Sequence, residues 1–155
     1  MRRTLTAFGA LVALAVTLTA VAAADPVAAK QRVAIRNQGS EGFALSPLTA
    51  GALKFDSGTA SFCCWSSHYV IRNGQKVEVT TGPELTLVGK RGTIVASNRM
   101  EFLEVADGFQ LFTGTWKVVR GTGAYAGLTG GGGVAGVALP NGQSKWRREG
   151  FLTPK

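Results

Sequence analysis

From residue 42 onward the chain alternates between short apolar stretches and turn signals. The signals are Asp56-Ser57-Gly58, Asn73-Gly74, Thr81-Gly82-Pro83, Lys90-Arg91-Gly92, Asp107-Gly108, Gly121-Thr122-Gly123 and Asn141-Gly142. Asn-Gly and Asp-Gly between apolar runs mark tight hairpins, because both central residues of such a turn take positive φ. After residue 25 the apolar residues alternate or run on continuously, without helical spacing, and glycine is frequent. The pattern predicts antiparallel strands over residues 32–36, 43–55, 59–72, 75–81, 84–90, 93–106, 109–120 and 134–139, with 144–152 as a further or closing strand. A meander with no helix to cover a sheet predicts an all-β barrel or sandwich. Closure is favoured because it removes exposed edges.

Two hairpins can be registered. Around Asn73-Gly74, Arg72 faces Gln75, Val70 faces Val77 and His68 faces Val79. One face then carries Phe62, Cys64, Ser66, His68, Val70, Val77 and Val79; the other carries Cys63, Trp65, Ser67, Tyr69, Ile71, Lys76 and Glu78. Around Asp107-Gly108, a two-residue turn sets Val105 against Gln110, Leu103 against Phe112, Glu101 against Gly114 and Arg99 against Trp116. Neither hairpin separates apolar from polar cleanly. Mixed faces predict an outer surface that is partly covered, by another subunit or by the N-terminal segment.

The N-terminus changes the domain picture. Met1-Arg2-Arg3-Thr4 is a basic head, residues 5–21 are apolar and uncharged, and Ala22-Ala23-Ala24 supplies small residues before Asp25-Pro26. This is the pattern of a secretory signal peptide over residues 1–24, with cleavage near Ala24 and a secreted product. A retained membrane anchor is disfavoured, since the run is barely long enough to span and no later segment approaches a span. The expected organisation is the signal, an extended N-terminal segment over 25–42, and one β-barrel domain over 43–155. The formal net charge is +8, two units of it on Arg2 and Arg3. The remaining basic residues are scattered, with short clusters at Lys90-Arg91 and Lys145-x-Arg147-Arg148. No basic stripe with interleaved aromatics appears, which argues against a nucleic-acid partner.

The densest chemistry lies in residues 61–70, SFCCWSSHYV, which hold both cysteines and the only histidine. Cys64, Ser66 and His68 would share one strand face. Strand residues four apart are about 13 Å apart along the axis, so His68 cannot activate Cys64 while the strand is regular. A metal site is not expected, because the two cysteines point to opposite faces and no ligand set completes them. Export makes the thiol state matter. Two separate thiols fit a regular strand best; a vicinal disulfide, which would break the strand, and intermolecular pairing are the alternatives. A second candidate cluster is Arg99, Glu101 and Trp116, with a cation–π contact between Arg99 and Trp116 in the expected register. No catalytic residue and no cofactor is assigned. The glycines after Gly121 lack the Lys and the helix of a phosphate loop.

Residues 113–133 read TGTWKVVRGTGAYAGLTGGGG. The Gly114-Thr115-Trp116 entry and the corner Gly121-Thr122-Gly123-Ala124-Tyr125-Ala126-Gly127, with its Gly130-Gly131 return, resemble the allene oxide cyclase-like and dirigent-like barrels. Lys90-Arg91-Gly92-Thr93 and the closing Trp146-x-x-Glu149-Gly150 fit the same group. Gly121, Gly123, Tyr125, Gly127 and Gly130 are read as the structural corner, with Gly130–Gly133 turning the chain back. The resemblance covers roughly residues 50–152, and the chain looks like one of the secreted bacterial members. It implies an eight-stranded antiparallel up-and-down barrel of calycin-like form, with an apolar interior cavity. It also implies trimers in some relatives, hence a candidate homo-oligomer here.

The expected function is non-catalytic binding of a small apolar or aromatic molecule in the barrel, or a surface interaction after export. An isomerase or cyclase resembling allene oxide cyclase is the enzymatic alternative, and a structural or inhibitory protein with a side-chain-filled barrel is the third. The interior separates them: a polar-lined cavity favours the enzyme, a dry one the carrier, and none the structural protein. Cys64, Ser66, His68, Arg99, Glu101 and Trp116 are the candidate ligand-binding residues.

Overall fold

The computed structural model describes residues 29–39 and 41–155. The expected signal peptide lies outside the described residues. Among those residues the structure is all-β, apart from a short 3-10 turn at Gly123–Tyr125. The strands are β1 (Gln31–Gln38), β2 (Gly42–Pro47), β3 (Asp56–Cys63), β4 (Ser66–Arg72), β5 (Gln75–Gly89), β6 (Thr93–Ala106), β7 (Phe109–Gly121), β8 (Thr129–Ala138) and β9 (Ser144–Thr153). They run in the order β3-β2-β1-β9-β8-β7-β6-β5, and β3 pairs with β5 to close the ring. This is an eight-stranded antiparallel barrel, as the turn pattern predicts. β4 continues β3 along the same partner: β3 pairs with Glu84–Gly89 of β5, and β4 with Gln75–Thr81.

Several boundaries differ from expectation: the strand expected over 43–55 ends at Pro47, the one expected over 134–139 begins at Thr129, and three further differences shape the barrel. The barrel starts at Gln31 and not at residue 43, because the presumed entry segment is strand β1, seated between β2 and β9. Its Val33 and Ile35 are fully buried core residues, and the short apolar run Val33-Ala34-Ile35 is the only local sign of this. The chain does not break at Thr81-Gly82-Pro83, where β5 passes through with a bulge against β6. It breaks instead inside the expected strand 59–72, between Cys63 and Ser66.

That break is made by a bond between Cys63 and Cys64, in place of two separate thiols. Cys64 takes φ 61, which no regular strand allows. The break changes the alternation by one residue. Phe62 pairs with Leu85 on the inside, while beyond the break Tyr69 pairs with the inward Glu78, so Ser66 and His68 turn outward. The bulge in β5 falls opposite the break, between Thr81 and Glu84, so both strands change phase at one height.

The Asn73-Gly74 hairpin has the expected register, with φ of 51 and 79 at its two turn residues. The Asp107-Gly108 hairpin has the expected turn, Ala106 opposite Phe109, but a bulge between Glu104 and Ala106 slips everything beyond it by one residue. Phe102 therefore faces Phe112, and Asn98, not Arg99, faces Trp116. The inner face follows as Ile94, Ala96, Asn98, Met100 and Phe102 along β6, and Phe112, Trp116 and Val118 along β7.

One half of the barrel is filled solid. Val33, Ile35, Leu45, Leu87, Ile94, Trp116, Tyr125, Leu128 and Leu152 pack together there. Trp116 of β7 pairs with Gly132 of β8, which pairs in turn with Gly150 of β9. A Cβ on Gly150 would sit 2.1 Å from the Gly131 carbonyl oxygen, so these positions admit no side chain without shifting backbone. Gly130–Gly133 thus belong to strand β8 and do not form the return turn expected of them. The corner itself is Gly121–Gly127: Gly123 has φ 59, and a Cβ there would lie 2.6 Å from the Arg91 carbonyl oxygen. Tyr125 plugs this end and donates its hydroxyl to Asp56 at 2.8 Å.

The outer wall is partly covered by the chain's own side chains. Val77 and Val79 point outward from β5 yet are buried. Arg72 on β4 and Glu101 on β6 pair at 2.7 Å across β5 on this same outer face.

Candidate functional site

At the end opposite the Tyr125 plug, the barrel holds a cavity of about 290 Å³. Phe62 of β3, Trp65 of the break, Met100 and Phe102 of β6, and Trp146 of β9 make its walls, with Glu78, Thr80 and Gln110 as polar members. A neighbouring depression shares Glu78, Phe102 and Gln110 and runs on past Tyr69 and Lys76 toward the hairpin tips. The Lys76 ammonium lies 3.9 Å from the Tyr69 ring centroid there.

The aromatic walls form one cluster. The Trp146 ring lies 3.9 Å from the Phe112 ring and 5.1 Å from the Phe62 ring, centroid to centroid. Phe102 completes it, 5.2 Å from Phe112. Room for these rings comes from Gly136, where a Cβ would lie 2.3 Å from the Phe112 ring. Trp146 is held by its indole N–H, donated to Ser144 Oγ at 2.7 Å.

Beneath the cluster lies Arg148, 0% exposed. It sits on β9 between Ile35 of β1 and Val134 of β8, and its guanidinium carbon is 5.2 Å from the Trp146 ring and 5.6 Å from the Phe62 ring. Nη1 donates to Asn37 Oδ1 at 2.6 Å and Nε to Asn98 Oδ1 at 3.3 Å. Asn37 is fixed in turn, its amide donating to the Gly39 carbonyl at 3.0 Å. Nη2 has no hydrogen-bond partner. No carboxylate among the described residues forms an ion pair with Arg148. Burial alone lowers its pKa to about 10, so it remains charged at neutral pH. A buried guanidinium N–H without an acceptor costs on the order of 1–3 kcal/mol or more. The aromatic faces offset part of this by cation–π attraction.

The residues singled out from sequence do not assemble into this site. Cys64 lies in the disulfide. Ser66 is on the outer face, its hydroxyl within 3.2 Å of Thr81 Oγ1, and His68 is exposed beside it. Arg99 is exposed on the outer wall, and Glu101 is committed to Arg72. Trp116 is inside, its indole N–H donated to the Gly133 carbonyl at 3.0 Å. The one-residue slip at Val105 separates it from Arg99, so the expected cation–π contact does not form. Arg148, which reads in the sequence as one of a short basic cluster, carries a further signal of its own. Trp146, Arg148, Gly150 and Leu152 occupy alternate positions of one strand, which places an arginine on an apolar face.

Comparison with family models, with curated proteins and with solved structures finds no match for this chain.

Proposed function

We propose that the protein is a secreted, non-catalytic carrier that binds a small apolar or aromatic molecule in the barrel mouth. The observation that carries this reading is the cavity of about 290 Å³ walled by Phe62, Trp65, Met100, Phe102 and Trp146. Rings and a thioether outnumber the polar groups, which favours holding a guest over transforming it. The filled lower half argues against an extended tunnel and fits a single small guest. The Gly121–Tyr125 corner is the part of the chain that supports kinship with the allene oxide cyclase-like and dirigent-like barrels.

Native mass spectrometry of protein recovered from culture medium tests the reading. The expected result is a small organic molecule retained on the protein and lost on denaturation. Trp65 is 60% exposed at the cavity rim, so Trp65→Ala spares the core and is expected to weaken retention. A protein that carries no guest and shows no binding to any of a set of aromatic probes would sink the proposal.

A further inference from the structure

Arg148 is an unusual feature for the floor of an apolar container. Its charge has amide acceptors on two of its three nitrogens, both amides held inside the barrel, and nothing on the third. Phe62 and Trp146, the two rings beside the guanidinium, are also two walls of the cavity. The guanidinium carbon is thus 5.2 and 5.6 Å from two rings that also border the space a guest would occupy.

We propose that the guest carries a carboxylate, and that this head docks on Arg148 Nη2 with its apolar or aromatic body in the mouth cavity. The inference rests on the cavity reading above and adds the class of ligand. A carboxylate oxygen would supply the acceptor that Nη2 lacks and the counter-charge that Arg148 lacks, forming a charge-assisted hydrogen bond in a buried site. A free inorganic anion would give up its hydration shell for one donor among rings, whereas a carboxylate joined to an apolar body also gains from burial of that body. Glu78 sits in the cavity lining on β5 and repels an anionic head left at the mouth, while Arg148 attracts one at depth. The two charges orient the guest head inward. Contact requires the Phe62 and Trp146 rings to part, a side-chain rearrangement at residues that are only partly buried.

Titration calorimetry at pH 7 with 1-naphthaleneacetate and with its neutral counterpart 1-naphthaleneacetamide tests the inference. Wild-type protein is expected to bind the acid tighter than the amide by about tenfold or more. Arg148→Gln is expected to erase that preference and keep the amide affinity. The wild-type ratio decides the matter even where the variant does not fold. Equal affinities for acid and amide overturn the carboxylate inference and leave the carrier reading standing. A preference that survives in Arg148→Gln overturns it too, since the head would then dock elsewhere. No heat from either compound at millimolar concentration overturns both. Competition by acetate alone as strong as by the naphthyl acid assigns Nη2 to a small free anion and overturns the head-and-body version.

Discussion

Tyr125 and Asp56 show how single residues hold the closed end. Asp56 is buried, which pushes its carboxyl pKa up, but hydrogen bonds from the Tyr125 hydroxyl and from the amides of Arg91, Ser57 and Lys90 outweigh this and leave it below its ordinary value. Burial, then the bond to Asp56, drives the Tyr125 phenol well above its usual range. Removing the hydroxyl in Tyr125→Phe is expected to cost about 1.5–3 kcal/mol in urea unfolding, the usual range for a hydrogen bond to a charged group. The acid side follows from the sign of the shift. A carboxyl depressed by folding contributes stability above its unfolded pKa of about 4, and that contribution is lost as pH falls through the folded value. Glu149, held down by Arg147 and then Arg32, acts in the same direction. Unfolding free energy is therefore expected to fall between about pH 5 and pH 3, and less steeply in Asp56→Asn. Tyr125 was legible in the sequence as an anchor because it follows a Gly-Thr-Gly corner. Its partner was not, since Asp56 reads as an ordinary turn residue 69 positions away.

The strands show what turn chemistry settles and what it leaves open. Asn73-Gly74 and Asp107-Gly108 both make the turns that their residues demand, and the first sets its whole hairpin. The second does not, because an extra residue near Val105 is absorbed as a bulge that no turn signal announces. That single slip dissolved the Arg99–Trp116 cluster. The Cys63–Cys64 bond has the opposite effect: it removes regular pairing where alternation looked unbroken. Intact protein is expected to gain two hydrogens in mass on reduction, without change of oligomer size; an unchanged mass would argue against the bond. β4 pairs with β5 alone, and most of its side chains are exposed. Its amides are accordingly expected to exchange hydrogen faster than those of Leu85–Leu87 in β5, where Leu85 and Leu87 are core residues. Gly150→Ala probes β8 and β9. The forced backbone shift is expected to cost about 1–3 kcal/mol, seen as a lower urea midpoint.

At the scale of the molecule, closure and a strand over 32–36 were readable, and the place of that strand in the barrel wall was not. A short strand in an entry segment gives no sign of its partners, and pairing with β2 and with the last strand makes β1 a wall. A chain that starts at Lys30 is expected to unfold cooperatively, whereas one that starts at Gly42 is expected to lose the transition in circular dichroism, because β2 and β9 are left as open edges. Most of the interior followed from alternation. The cavity did not, because it depends on where two bulges and one disulfide shift the phase, and these lie in different strands. The Tyr125 plug gives the barrel two unlike ends: one is stoppered and the other is bordered by exposed Trp65, Tyr69 and Ile71. The molecule is a cup and not a tube. A cup measures its contents from the bottom only. A guest of the proposed kind would be told apart by the end that reaches the floor and hardly at all by its length, since whatever is too long simply stands above the brim.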